Sequence, residues 1–123
     1  MAQRGFTLIE LIVALAIIAL LTSIVAPRYA KSIERAREAA LRENLHQLRD
    51  AIDKFYADRD TYPANLEDLV RHRYLRAVPV DPLTGTATSW IVVPPASGLS
   101  GKVFDVRSGA DGPASDGTDV ARW

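Results

Sequence analysis

Cysteine is absent from the 123 residues, which removes disulfides, thiol nucleophiles and thiolate metal sites together. Histidine is scarce. His46 and His72 are the only two, and neither has a constellation of partners for acid–base or nucleophilic chemistry, so both read as solvated surface residues and no enzyme is expected. An excess of charge is lacking as well: 15 Lys and Arg face 15 Asp and Glu, so no global field draws nucleic acid. There is no internal repeat and no low-complexity tract. Once the apolar N-terminal run is set aside, about a hundred residues remain, enough for one small domain with a modest core.

What is present is a charge-poor stretch, FTLIELIVALAIIALLTSIVA, from Phe6 to Ala26. Its length of about 21 residues gives roughly 31 Å of helix, matching a hydrocarbon core of ~30 Å. A core helix of this length would have too little protein to cover it in so small a domain. A secretory signal wants a shorter run, and cleavage after Ala26 would place Ile24 where a small residue is needed and Pro27 just past the cut. A membrane anchor is feasible, yet it leaves Glu10 without a purpose. A charged carboxylate near the bilayer centre costs about 2.5–3.5 kcal/mol or more.

RGFTLIELIVALAIIALLTSIVAP, residues 4–27, resembles the N-terminus of type IV pilin-like proteins: a short basic leader ending in glycine, then Phe-Thr-Leu-Ile-Glu, then an apolar helix closing near a proline. The resemblance implies that a prepilin peptidase cuts between Gly5 and Phe6 and methylates the new Phe6 amine. It also implies that Glu10 reaches the Phe6 amine of a neighbouring subunit during filament assembly. Physical reasoning agrees with that role, because a buried ion pair is severely penalised when one member is missing and so checks register. The charge bias points the other way. Arg28, Lys31, Arg35, Arg37 and Arg42 follow the span, against Arg4 and the amino terminus before it, and the positive-inside rule would keep the C-terminal part in the cytoplasm. The leader resemblance implies the reverse: a single pass through the bacterial inner membrane with the C-terminal domain in the periplasm.

Pro27 is expected to kink or interrupt the helix, with Thr22 and Ser23 capping freed carbonyls. Beyond it, Ile33, Leu41, Leu45, Leu48, Ile52 and Phe55 mark one apolar helix face. Glu38–Arg42, Arg49–Asp53 and Asp50–Lys54 offer i,i+4 pairs on the other. The period is too short for a self-paired coiled coil and favours packing on the chain's own domain. Asn65 is expected to cap a short helix with Asp68 in its first turn and Leu66, Leu69, Val70 and Leu75 on its buried side; Asp81-Pro82 marks a turn. TSWIVVPP and KVFDVRSG read as two short strands that need the helix beneath them. Trp90 and Trp123 read as packing anchors. Arg71 and Arg73 read either as an exposed face or as contacts for acidic neighbours. The expected fold is α+β: a long N-terminal helix, transmembrane in its first half and amphipathic in its second, packed against a small antiparallel sheet. Its parts are a leader (1–5), a transmembrane and assembly helix (6–27) and a globular domain (28–123).

The tail, SGADGPASDGTDVARW, holds Asp111, Asp116 and Asp119 among glycines. This is a solvated loop or a calcium site, since hard oxygen ligands with glycine turns suit that ion; the EF-hand pattern is not met. The order Tyr-Pro, Leu-rich helix, Val-Pro-Val-Asp-Pro, Thr-Gly, Trp-bearing strand and Ser-Gly-Ala-Asp-Gly is similar to the major, G-type pseudopilins of type II secretion systems. That resemblance implies calcium in the C-terminal loop, here shorter than usual. Asp111 and Asp119 are the first expected ligands, then Asp116, with a carbonyl around Ser108. It further implies a filament subunit that performs no chemistry, self-assembles, and works with prepilin peptidase, minor pseudopilins and an inner-membrane secretion platform. The alternatives are a type IV pilin, a DNA-uptake pseudopilin, or an uncut, membrane-anchored calcium sensor.

Overall fold

The computed structural model describes residues 2–123, so Met1 of the expected leader lies outside the described residues. Helix α1 runs from Leu8 to Arg59 and α2 from Leu66 to Arg71; strands β1 (Ile91–Val93) and β2 (Asp105–Arg107) follow, then a 3-10 turn at Val120–Arg122. The strands pair antiparallel with Val92 opposite Val106. This is the expected α+β architecture. The chain divides into two compact units, one ending at Glu34 and the other Arg35–Trp123.

In the first unit α1 continues through Pro27, where an interruption was one expectation. The hydroxyls of Thr22 and Ser23 donate to the carbonyls of Ile18 and Leu20, both at 2.7 Å. They do not serve the Ser23 carbonyl, whose hydrogen-bond partner Pro27 removes; they bond back into the preceding turn instead. No described residue of this unit is buried, Ile33 included, so Ile33 does not join the apolar face to which its spacing assigned it.

In the second unit Leu41, Leu45, Leu48, Ala51, Ile52 and Phe55 form the buried stripe of α1. At about 1.5–3 kcal/mol for each fully buried Leu or Ile, this stripe dominates the unit's stability. Most of what covers it comes from outside the strands. Leu66 and Leu69 come from α2, while Trp90, Val103 and Ala114 come from connecting segments, Val120 from the 3-10 turn, and Val106 alone from a strand. Helix α1 is closed off by the residue after it, Asp60, whose left-handed φ of 55° turns the chain while its N–H returns to the Tyr56 carbonyl at 2.8 Å. Asn65 caps α2 as its sequence position indicates, its side chain accepting from the Asp68 N–H at 2.9 Å. Gly101, at φ 100°, lies so close to Tyr62 that an added Cβ would collide with the Tyr62 carbonyl.

The turn at Asp81 is more than punctuation. Its carboxylate is fully buried and accepts from the N–H groups of Leu83 (2.8 Å) and Thr84 (3.3 Å) and from the Ser108 hydroxyl (2.5 Å). His72 also departs from a solvated surface residue. It is half-buried, its Nδ1 lies 2.9 Å from the Asp68 carbonyl, and its ring meets Phe55 edge-on.

Candidate assembly and processing site

Residues 2–7 have no regular structure, and the first α1 hydrogen bond runs from Leu11 N–H to the Thr7 carbonyl at 3.1 Å. Thr7 is therefore the N-cap. Its hydroxyl accepts from Glu10 N–H at 3.2 Å, while the Glu10 carboxylate accepts from Thr7 N–H at 3.5 Å. This reciprocal arrangement is a capping box, in which two otherwise orphaned amides are satisfied by side chains three residues apart. Reading Glu10 only as an ion-pair partner misses this role, although Thr-x-x-Glu before an apolar run is a sequence signal for it.

The capping box aims the carboxylate back past the helix start. Arg4, Gly5, Phe6 and Glu10 line one shallow, open pocket. Phe6 is 84% exposed, and the Gly5–Phe6 peptide lies in an exposed stretch without regular structure, with no side chain on Gly5 to exclude a peptidase. Hydrolysis there would free an α-amine, cationic at neutral pH because such groups titrate near 7.7–8.0. That amine would stand one residue from the amide that already donates to Glu10. The local fold thus holds a carboxylate beside the place where such a cleavage would make a cation.

The C-terminal tail is arranged differently from the expected calcium loop. Asp111 and Asp119 line one open depression with Gly112, Pro113, Gly117 and Ala121. Asp116 is engaged elsewhere. One of its oxygens accepts from the Thr118 N–H and hydroxyl at 2.9 and 2.6 Å, and the other meets the Arg42 guanidinium at 2.6 Å. These bonds, those from Thr118 foremost, hold its pKa down at about 2. Ser108 is buried with its hydroxyl on Asp81, and Asp119 caps the final turn by accepting from Ala121 N–H at 3.1 Å. Among the described residues no three His, Cys, Asp or Glu side chains form a group able to hold a metal ion. Asp111 and Asp119 thus share a depression, while Asp116 is turned to Thr118 and Arg42, so the three carboxylates do not form one donor group.

Two of the three helix charge pairs expected from i,i+4 spacing are replaced. Asp50–Lys54 forms at 2.7 Å. Glu38, however, accepts from the N–H and hydroxyl of Ser115, and Arg42 takes Asp116. Arg49 turns to Asp105 at 2.7 Å. Spacing along a helix shows which side chains are neighbours and cannot show a better partner many residues away.

Residues 1–26 match the family model described as the prokaryotic N-terminal methylation motif. The chain is 28% identical to the type II secretion system core protein G of Escherichia coli K12 over 98% of its own length and 91% of that protein. It is equally similar to the core protein G of Pseudomonas aeruginosa, over 98% of this chain and 95% of the relative. A type IV major pilin, PilA of Myxococcus xanthus, is 39% identical over 49% of this chain and 27% of the pilin. No solved structure matches at a significant level.

Proposed function

We propose that the chain is a structural subunit of the pseudopilus filament of a type II protein secretion system, processed by prepilin peptidase and N-methylated at Phe6. The observation that carries this reading is the pocket shared by the Gly5–Phe6 junction and Glu10 at the start of a helix that is long and apolar enough to cross a membrane. Near full-length similarity to core protein G supports the same reading. In the resting protomer the capping box holds Glu10 at the helix start. In the filament the carboxylate accepts the Phe6 ammonium of the adjoining copy, so that a copy seated out of register leaves two uncompensated charges in an apolar layer.

The domain faces the periplasm and the helix sits once in the inner membrane. The protein's work is to assemble, driven by a secretion platform and joined by minor pseudopilins. Two measurements test this. Mass spectrometry of protein from cells with prepilin peptidase should show a chain beginning at methylated Phe6; an intact leader overturns the reading. Because the chain has no native thiol, a Ser97→Cys variant should react with a membrane-impermeant thiol reagent added from the periplasmic side, and protection there would reverse the orientation. A type IV pilin is the second reading, favoured by a 29% match to the fimbrial protein EcpC of Eikenella corrodens over 94% of this chain. Complementation separates the two: restored export in a strain lacking its core protein G supports the first, and restored pili in a strain lacking its major pilin supports the second.

A further inference from the structure

Glu38, Arg42 and Arg49 follow one another along α1 by four and then seven residues, and all three reach across to the C-terminal tail or to β2. Glu38 is 7% exposed. Its two oxygens accept from Ser115 N–H at 2.7 Å and Ser115 hydroxyl at 2.5 Å. Arg42 pairs with Asp116 and lies over the Trp123 ring, 3.9 Å from its centroid. The Trp123 indole N–H in turn donates to the Thr118 hydroxyl at 2.8 Å. Arg49 donates to the carbonyl of Val106 and, at 2.7 Å, to that of Trp123, while its Nε holds Asp105. Between these contacts Ala114 and Val120 are buried in the core.

Each group does what an ion would do in such a tail: it joins segments distant in sequence through charge-assisted hydrogen bonds. The donor set a cation needs is correspondingly depleted. Asp116 has both oxygens engaged, Asp119 is capping the last turn, and Asp111 alone among the three accepts no hydrogen bond among the described residues. From this disagreement between the donors and the ion implied by resemblance, we infer that a side-chain clasp, Glu38–Ser115 with Arg42–Asp116–Trp123 and Arg49–Trp123, closes the tail in place of calcium, so that the fold does not depend on the ion.

The test is thermal unfolding of the full chain in detergent, with calcium chloride in excess and with a chelator in excess. The expected result is the same Tm in both, within about 1 °C. Glu38→Ala should lower Tm by about 5 °C or more, since each kcal/mol is worth roughly 4–8 °C in a domain of this size. Glu38→Ala and Ser115→Ala should be partly non-additive, because both remove the bond from the Ser115 hydroxyl, while the bond from the Ser115 N–H survives the serine substitution and is lost only with Glu38. Should Glu38→Ala fail to fold, the milder Ser115→Ala and the chelator comparison on the parent chain still decide. A chelator-induced fall of about 5 °C or more, or full additivity of the two substitutions, overturns the clasp. Filament assembly and export are not read in this experiment, so its failure is distinct from failure of the secretion reading.

Discussion

The two halves of α1 carry the same backbone geometry to opposite ends. Up to Glu34 every described residue is exposed, Leu20 at 64%, although this is the more apolar half; beyond it Leu41, Leu48 and Ile52 are fully buried on a helix face whose opposite side is charged. Hydrophobicity therefore does not by itself mean core. A stripe on one side is covered by the chain's own domain, whereas an apolar surface all the way round requires lipid or other copies of itself. The two glutamates obey the same division. Glu10, exposed and bound only in a capping box, has no partner elsewhere in the described residues of the chain, and in the proposed filament that partner is the adjoining copy. Glu38, buried and doubly hydrogen-bonded, has already found its partner inside.

The sharpest way to break this contrast is Glu10→Gln. It should abolish filament formation and export while leaving the Tm of the second unit unchanged; export at the parental level would remove the electrostatic basis of assembly. Next in size is a matched pair of leucine truncations read by denaturant unfolding in detergent. Leu48→Ala should cost about 2–5 kcal/mol by opening a cavity. Leu15→Ala, with no protein neighbour to lose, should change unfolding by less than about 0.5 kcal/mol. Equal effects would mean that the first half is packed within the protomer after all.

The smallest effect is a pH dependence. Asp116 titrates at about 2 in the folded chain against an ordinary 3.8, so the folded state favours its ionised form. Its contribution to stability is complete above about pH 4 and is lost as pH falls through about 2. Asp116→Asn should flatten that part of the Tm–pH curve, and an unchanged acid limb would show that the Arg42 and Thr118 contacts do not form in solution.

Much of the candidate assembly site was legible because its information is local. Gly5, Phe6 and Glu10 lie within six consecutive residues, and Thr7 completes a box that spans one helical turn. The core stripe from Leu41 to Phe55 was legible for the same reason, since its period is a property of the helix alone. The tail was not. Ser115 and Glu38 are 77 residues apart, and Arg42 and Asp116 are 74 apart. Before folding, nothing distinguishes Arg42 as a partner for Asp116 from Arg42 as a partner for Glu38, its neighbour at i,i+4. Asp81 shows the limit again: its turn was visible, its burial under Ser108 was not.

By itself, then, the order of residues determined that a long helix would form, where its apolar circumference gives way to an apolar stripe, and that an acid would stand one helical turn from the Gly5–Phe6 junction. Tertiary structure alone decided that Glu38, Arg42 and Arg49 spend their charges on the tail and β2, and that Asp111, Asp116 and Asp119 do not gather into one site. The physical reason is range. Periodicity, capping and backbone permissiveness act over a few residues, whereas the partner of a charge is chosen by whatever the collapsed core brings within hydrogen-bonding distance.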